Sequence, residues 1–233
     1  MEKTTALILA GGTGCRMGST VPKQFLRLGG IPVVSHSIKA FETSDEISDI
    51  VMVCHADYIT IMESVIKETQ AKKIRKLVVG GETRQKSSFI GLKNCSRDTK
   101  YVLIHDSARP FVCMSMVGSL LKAAKLAGSA GPVTDISDTV VETRGGFISG
   151  ILERDTLGRM QTPQAFRYRV IVEAHEKALV FGLTSASDDC GLVIKAGGKV
   201  SIVRGNEENL KITSAADMEL AELIFLRKMR TSA

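Results

Sequence analysis

Short apolar runs alternate with amphipathic helical patterns along most of this chain. The first run, Thr5–Ala10, is continuous and stops at two glycines, which is typical of a strand buried on both faces of a sheet. Strands that alternate with helices predict βαβ units, and therefore a Rossmann-like three-layer α/β sandwich with a mostly parallel central sheet. Further strands are predicted over residues 50–54, 76–79, 101–104, 131–134 and 200–203, and helices over 35–41, 58–69, 87–93, 116–127, 170–180 and 216–227.

The stretch from Thr139 to Leu152 breaks this alternation. Two strand-like runs flank Arg144-Gly145-Gly146, which predicts a β-hairpin with a Gly-Gly turn. Because a long hairpin inside an α/β domain cannot easily bury both faces against its own sheet, we expect a projecting arm at about residues 137–160 that packs on a second subunit. An edge ribbon that stays on the monomer is the alternative. We find no linker or internal repeat, so we expect a single domain over residues 1–233.

Composition excludes several classes of protein. The chain has 233 residues, 44% of them hydrophobic and 24% charged, which is close to globular averages. No apolar run approaches the roughly 20 residues of a membrane span, and the amino terminus lacks the apolar core of a signal peptide. We therefore expect a cytoplasmic protein without membrane contact. The five cysteines are scattered and form no C-x-x-C pair, so we expect reduced thiols.

The formal net charge of +6 agrees either with a nucleic-acid surface or with a site for small anions. A non-catalytic nucleic-acid module predicts clustered cations with stacking aromatic residues, whereas aromatic residues make up only 5% of this chain. Only one basic run is dense, Lys72–Lys76, and it has no aromatic residue within it. We therefore expect no nucleic-acid partner, and we interpret this run as a solvated turn.

A glycine-rich loop, Ala10-Gly-Gly-Thr-Gly-Cys-Arg-Met-Gly18, follows the first strand directly. A strand that leads into such a loop suits phosphate binding, because glycine lets the backbone amides approach an anion. Two well-known nucleotide loops do not fit, since the third glycine is one residue late for a dinucleotide fingerprint and a P-loop lysine is missing. The glycines alone would also fit a tight turn. Arg16 and Lys23 add two cations beside the loop, which suits a triphosphate.

These residues carry a resemblance to a known family. The loop, followed by Pro22-Lys23-Gln24-Phe25, resembles the signature of the sugar-nucleotide nucleotidyltransferases. Together with four later segments it resembles one branch, the 2-C-methyl-D-erythritol 4-phosphate cytidylyltransferases, from about residue 5 to residue 227. The segments are Gly80-Gly-Glu-Thr-Arg84 with Ser87, His105-Asp-Ser-Ala-Arg-Pro110, Thr162-Pro-Gln-Ala-Phe166 and Asn209-Leu-Lys-Ile-Thr213.

The resemblance implies an enzyme that joins CTP to a sugar-alcohol phosphate, forming a CDP-linked product and pyrophosphate in non-mevalonate isoprenoid synthesis. A phosphomonoester oxygen would attack the α-phosphorus of CTP, and its second pKa of about 6 makes it ionised at neutral pH. Such a reaction needs positioning and charge stabilisation rather than a general base. The chain fits this chemistry, because its four histidines form no Ser/His/Asp constellation that we can identify.

By resemblance, Arg16, Lys23 and Lys211 hold the triphosphate and are the catalytic cations. The nucleotide-binding residues that the resemblance implies are Ala10, Gly11, Gly12, Gly14, Gly81, Glu82, Ser87, Asp106 and Ser107. Among them, Gly81, Glu82 and Ser87 belong to the element that reads cytosine, which Arg84 would brace; a plain turn before a helix is the alternative. Arg109 would pair with Asp106 or steady its loop, and His105 would make a structural hydrogen bond.

Asp106 is the expected magnesium ligand, since it follows a strand at the edge where open α/β sheets bind ligands. One carboxylate suffices, because Mg²⁺ in such sites also binds substrate phosphates. Glu208 would be a second ligand, or else an exposed glutamate.

On the acceptor side the resemblance implies Thr139, Arg154, Ser187 and Asp188. Arg154 stands eight residues before Thr162, the family's spacing for the arginine that binds the acceptor phosphate. In the family this arginine reaches the site from the neighbouring subunit, which implies a homodimer formed through the arm.

Ser107 and Ser187 stand where many relatives have alanine and threonine. The acceptor stays open because the Ala10-Gly11-Gly12 opening is also common in pentitol-phosphate cytidylyltransferases. A ribitol-5-phosphate or other pentitol-phosphate cytidylyltransferase is the main alternative, although Ala108 stands where those enzymes usually carry valine. An NAD(P)-dependent reductase is a distant one.

Overall fold

The computed structural model describes residues 2–12 and 21–231, and its centre is a mixed sheet of eight strands. The strands of this sheet are β1 (Thr4–Ala10), β4 (Asp49–Cys54), β5 (Ile74–Val79), β6 (Tyr101–Asp106), β7 (Ser129–Thr134), β10 (Arg159–Met160), β11 (Gln164–Arg167) and β12 (Ser201–Arg204). Outside it lie two short pairs, β2 (Arg27–Leu28) with β3 (Ile31–Pro32), and β8 (Val141–Arg144) with β9 (Phe147–Ile151). The helices are α1 (Val33–Glu42), α2 (Ile59–Thr69), α3 (Arg84–Lys93), α4 (Met114–Ala127), α5 (Tyr168–Val180), α6 (Asp189–Lys195) and α7 (Ala215–Thr231).

The sheet has a parallel core and two short antiparallel strands, β11 inserted between β6 and β7 and β10 paired with β7. β1 lies between β4 and β6, and both pair with it in parallel, while β5 continues the parallel arrangement beyond β4. On the other side β11 pairs antiparallel with both β6 and β7, and β12 pairs in parallel with β7. The expected α/β fold with a mostly parallel sheet is therefore confirmed.

Two hydrophobic clusters cover the two faces of the sheet. Successive strand side chains point to opposite faces, and along β1 the side chain of Ile8 belongs to one cluster while that of Leu7 belongs to the other. The first cluster includes residues of α1, α2 and α4, and the second includes residues of α3, α5 and α6. The three layers predicted from the sequence follow from this alternation.

The predicted hairpin is present as β8 and β9, which form their own two-stranded antiparallel sheet. Gly145 and Gly146 have φ angles of 59° and 84°, the left-handed conformation that both central residues of a type I′ turn require. Phe147 and Ile151 are 78% and 73% exposed, so apolar side chains of the arm are left uncovered by the chain.

The sequence patterns missed four short strands and one helix, and the paired strands β2 and β3 are among them. β11 was interpreted only as part of a motif, because four residues inserted antiparallel between two longer strands are too short to give a periodic signal. β10 and α6 were also missed, and both are short. None of the helices in the described ranges is long and apolar enough to cross a membrane. Cys54, Cys95, Cys113 and Cys190 are free thiols, and Cys15 lies outside the described residues.

We predict opposite effects on stability for two helical glycines. A Cβ at Gly91 in α3 would lie 2.3 Å from Leu7 Cδ1 and 2.9 Å from Val53 Cγ2, inside the packed core. Gly91→Ala should therefore lower the free energy of unfolding by about 1–3 kcal/mol through overpacking. A Cβ at Gly118 in α4 would meet no atom within 4 Å. Gly118→Ala should therefore raise the free energy of unfolding by about 0.5–1 kcal/mol. Urea denaturation measures both, and equal effects would contradict the described packing of α3 on the sheet.

Candidate functional site

A cavity of about 580 Å³ lies where the parallel strands end. Its walls come from the segments that follow β1, β4, β5 and β6, from Lys23 and Gln24, and from Lys211. Because the carboxyl ends of parallel strands meet at one edge, residues far apart in the sequence converge there, and open α/β sheets bind ligands at this edge.

Asp106, the last residue of β6, is the centre of charge in this cavity. Its Oδ1 accepts a hydrogen bond from Arg84 Nε at 3.0 Å, and its Oδ2 accepts one from Lys211 Nζ at 2.7 Å. Burial alone would raise the pKa of Asp106, but the two cations outweigh burial and hold the pKa well below its ordinary value. The carboxylate is therefore ionised at neutral pH.

Arg84 bridges Asp106 to a second carboxylate that the sequence analysis did not identify. Arg84 Nη1 donates to Asp189 Oδ2 at 2.7 Å, and Asp189 is fully buried. Burial would raise the pKa of Asp189, but Arg84, His175 and Ser88 together lower it to about 2. The only signal for Asp189 in the sequence was its place directly after Ser187 and Asp188. Arg84, expected to brace the loop before it, in fact ties two carboxylates together.

The predicted cytosine-reading element is a tight turn closed by Ser87. The Ser87 hydroxyl accepts from the Gly81 amide at 3.1 Å and lies 3.2 Å from the Gly81 carbonyl oxygen, to which it can donate. A Cβ at Gly80 would lie 2.7 Å from Ser87 Oγ, and one at Gly81 2.5 Å from Lys86 Cβ, so both positions require glycine for this close approach. Glu82 lines the cavity, but its exposed side chain pairs with Lys86.

Gln24 anchors the described beginning of the glycine-rich loop. Its buried amide nitrogen donates to the carbonyl oxygens of Ala10 at 2.9 Å and Gly12 at 2.8 Å. Ala10 is buried at the end of β1, while Gly11 and Gly12 line the cavity together with Lys23. Two predicted residues, Gly14 and Arg16, lie outside the described residues. Gln24 belongs to the motif that follows the loop, but no role was predicted for it from the sequence.

The segments that carry Asp106 and Lys211 are fixed to each other by hydrogen bonds. Arg109 Nη1 donates to the Asn209 carbonyl oxygen at 2.6 Å, and the amide of Ile212 donates to the carbonyl oxygen of Ala108 at 2.9 Å. Ser107 lines the cavity, and its amide donates to the Leu9 carbonyl oxygen at 3.0 Å. Arg109 therefore steadies the loop, and no ion pair joins it to Asp106 within the described ranges.

His105 has the structural role expected for it. It is fully buried, and burial lowers its pKa to about 4. Its ring nitrogens lie 3.0 Å from the Arg109 carbonyl oxygen and 3.2 Å from the Thr162 hydroxyl. A neutral imidazole without exposure to the cavity positions the loop and does not exchange protons with a substrate.

The residues expected on the acceptor side do not line this cavity within one chain. Arg154 follows the hairpin and is half-exposed; its Nη1 donates to the Ser137 carbonyl oxygen at 3.0 Å. Thr139 is exposed just before β8. Asp188 caps α6, since its Oδ1 accepts from the Gly191 amide at 2.7 Å, and Ser187 before it is exposed.

Glu208, the second expected metal ligand, does not line this cavity either. Its carboxylate pairs with Arg227 and, at 2.6 Å, with Lys228 of α7. No cluster of three His, Cys, Asp or Glu residues in the described part of the chain could hold a metal. Asp106 alone still fits Mg²⁺, because one carboxylate with substrate phosphates suffices and each oxygen has a second lone pair beyond its bond to Arg84 or Lys211.

Comparisons with known proteins identify the family. A family model for 2-C-methyl-D-erythritol 4-phosphate cytidylyltransferase matches residues 4–227. The enzyme of this name from Pelotomaculum thermopropionicum is 38% identical over 228 residues, covering 96% of this chain and 94% of the relative. The same name describes a relative from Desulforamulus reducens that is 37% identical over 230 residues, covering 98% of both chains.

A solved structure of 4-diphosphocytidyl-2C-methyl-D-erythritol synthase from Anaerococcus prevotii is similar, with a TM-score of 0.84 and 28% identity over 97% of this chain and 96% of that one. The carboxyl-edge cavity, its cations and these matches lead to one conclusion. This chain belongs to the 2-C-methyl-D-erythritol 4-phosphate cytidylyltransferase family.

Proposed function

We propose that the 580 Å³ cavity is the catalytic site of this cytidylyltransferase. The enzyme transfers the cytidylyl group from CTP to 2-C-methyl-D-erythritol 4-phosphate in the non-mevalonate pathway. The observation that supports this location is the ionised Asp106 between Arg84 and Lys211, beside a loop of backbone amides. The family match favours this acceptor over a pentitol phosphate, and it leaves the reductase alternative without support.

The cations of the cavity would bind the triphosphate and stabilise charge as the α-phosphorus gains a fifth oxygen. Lys23 and Lys211 both line the cavity, and Arg16 would join them from the loop. Lys211 has Asp106 as its ion-pair partner and an exposed fraction of 36%, against 21% for Arg84, which has two carboxylate partners. Lys211 is therefore the cation that can most easily turn from Asp106 to a phosphate oxygen.

The nucleotide would lie between the two glycine turns. Backbone groups of Gly11, Gly12 and Gly81 face the cavity without side chains, and Ser87 closes the second turn, which supports the role expected for this element in reading cytosine. When bound at Asp106, Mg²⁺ would neutralise phosphate charge and orient the triphosphate. The acceptor phosphate is already a nucleophile at neutral pH, so the residues of the chain need only position it.

We further propose that the active form is a homodimer, in which the arm of one subunit completes the site of the other. Three observations support this arrangement: the arm exposes Phe147, Ile148 and Ile151, both of its faces lie off the main sheet, and Arg154 and Thr139 lie away from the cavity of their own chain. Exposed apolar side chains grouped in this way mark interaction surfaces. The cytoplasmic location, the single domain and the absence of a nucleic-acid partner stay predictions from the sequence.

The activity has a direct test. The protein incubated with CTP and Mg²⁺ should release pyrophosphate rapidly with 2-C-methyl-D-erythritol 4-phosphate, and at least about 100-fold more slowly with ribitol 5-phosphate, because the buried polar groups of a fitted site lose their partners with the wrong substrate. A coupled pyrophosphate assay measures both rates. A higher rate with the pentitol phosphate would contradict the assigned acceptor.

Lys23 and Lys211 should contribute to the transition state rather than to folding. Lys23→Ala and Lys211→Ala should each lower kcat by about 100-fold or more, since each removes a cation placed at developing negative charge. Lys122→Ala, on an exposed position of α4, is the matched control and should leave kcat unchanged. Thermal unfolding of all three should stay close to the parent. A mild loss of kcat in either cavity variant would remove that lysine from the catalytic set.

Mixing two inactive variants tests the shared site. Arg154→Ala and Lys211→Ala should each be nearly inactive alone, but subunit exchange between them should restore about a quarter of the parent activity. Half of the random dimers are heterodimers, and each of these has one intact site out of two. If activity does not return although native mass spectrometry shows mixed dimers, Arg154 does not act across the interface. Sedimentation that shows only monomers would contradict the dimer itself.

A further inference from the structure

A row of five hydrogen-bonded side chains leads from the interior behind α3 to the cavity. In order they are His175, Asp189, Arg84, Asp106 and Lys211. The successive distances are 3.0 Å (His175 Nε2 to Asp189 Oδ1), 2.7 Å (Arg84 Nη1 to Asp189 Oδ2), 3.0 Å (Arg84 Nε to Asp106 Oδ1) and 2.7 Å (Lys211 Nζ to Asp106 Oδ2). The row joins α5, α6, α3 and β6 to the segment that carries Lys211.

The reaction as proposed above uses neither His175 nor Asp189, and Asp189 is the one of the two that contacts Arg84. It is fully buried and does not line the cavity. Both of its oxygens are occupied. Oδ2 accepts from Arg84, and Oδ1 is bonded to His175 and also accepts from Ser88 Oγ at 2.7 Å. Its own amide donates to Gln164 Oε1 at 3.1 Å. A charge buried this deeply is costly unless every partner is in place, so its position is fixed from all sides.

The two carboxylates share the guanidinium of Arg84. Nε faces Asp106 and Nη1 faces Asp189, so part of the positive charge of Arg84 is neutralised away from the cavity. If Asp189 were uncharged, the attraction of Arg84 would act on Asp106 alone. The carboxylate of Asp106 would then be less available to a metal ion, and the guanidinium would lose the contact that sets its orientation.

We infer that Asp189 is a positioning residue, which holds Arg84 on one oxygen of Asp106 and thereby leaves the other oxygen to exchange Lys211 for Mg²⁺. The inference rests on the proposed role of Asp106 as the metal ligand. It also links the two halves of the site, because Ser187 and Asp188, the residues expected near the acceptor, directly precede Asp189. The segment before them is tied to α3 as well, since Gln85 bonds both Leu183 and Ala186.

The test is calorimetric titration of CTP into the protein over a series of Mg²⁺ concentrations. Asp189→Asn keeps the shape of the side chain and removes its charge. It should raise the Mg²⁺ concentration needed for half-maximal CTP binding by about tenfold, the scale of lost outer-shell support at metal sites. The CTP affinity in EDTA should change by less than about twofold, because a residue that acts through Asp106 alters only the part of the CTP affinity that depends on Mg²⁺. An unchanged Mg²⁺ requirement would overturn the inference.

Leu192→Ala is the matched control for structural damage. Leu192 lies on the same helix as Asp189, is buried, and belongs to the second hydrophobic cluster. Its truncation should lower the unfolding temperature by several degrees, since a buried leucine is replaced, and should leave the Mg²⁺ requirement unchanged. If Leu192→Ala moves the Mg²⁺ requirement as far as Asp189→Asn does, the effect is general loosening of α6 and the inference fails.

Ser88→Ala keeps the inference testable if Asp189→Asn does not fold. This variant removes one hydrogen bond to Asp189 without changing the charge, and should raise the Mg²⁺ requirement in the same direction by about threefold, a smaller loss than that of a charged support. No shift in Ser88→Ala would then count against the positioning role. Parent protein that fails to bind CTP with Mg²⁺ would instead contradict the proposed function. Parent binding whose metal dependence is lost in Asp106→Asn but kept in Asp189→Asn would contradict the positioning role alone.

Discussion

The site depends on one buried carboxylate that two cations keep ionised. Asp106 would be neutral in an apolar interior, because burial raises the pKa of a carboxyl group. Arg84 and Lys211 reverse that effect, each on one oxygen. The two contacts differ in kind: Arg84 is bound to a second buried carboxylate, whereas Lys211 is more exposed. The described contacts thus hold Arg84 through two carboxylates and Lys211 through one.

The fold supplies these groups from distant parts of the chain. The parallel strands bring the loops after β1, β5 and β6 to one edge of the sheet. The inserted strand β11 and the residues before it then fix the loop of Asp106 from the other side, since the Asp106 amide donates to Thr162 Oγ1 at 3.0 Å. Asn209 Nδ2 donates to the Thr162 carbonyl oxygen at 2.9 Å, so the same residue also places the segment of Lys211. The geometry of the site therefore depends on the antiparallel insertion as much as on the parallel core.

Features set by local sequence patterns could be predicted from the sequence. Features that depend on contacts between distant residues could not. The strand at Thr5–Ala10 and the Gly-Gly hairpin were predictable, because periodicity and turn chemistry act locally. Asp106 was predictable from its place after a strand. Asp189 was not, because its importance comes from Arg84 and His175, which stand 105 and 14 residues away. Arg154 shows a different limit. The hairpin pattern predicts an arm that packs on a second subunit, but the role of Arg154 at the partner's site comes only from the family resemblance.

A crystal structure of the protein with CTP and Mg²⁺ will show whether Arg84 is the fixed cation on Asp106 and Lys211 the exchangeable one. We expect Arg84 to keep its bonds to Asp106 and Asp189 in this complex. Lys211 Nζ should leave Asp106 Oδ2 for a phosphate oxygen, and the metal should take its place at that carboxylate. A complex in which CTP lies in the same cavity but Lys211 stays on Asp106, or in which Arg84 releases either carboxylate to reach the triphosphate, would contradict these roles.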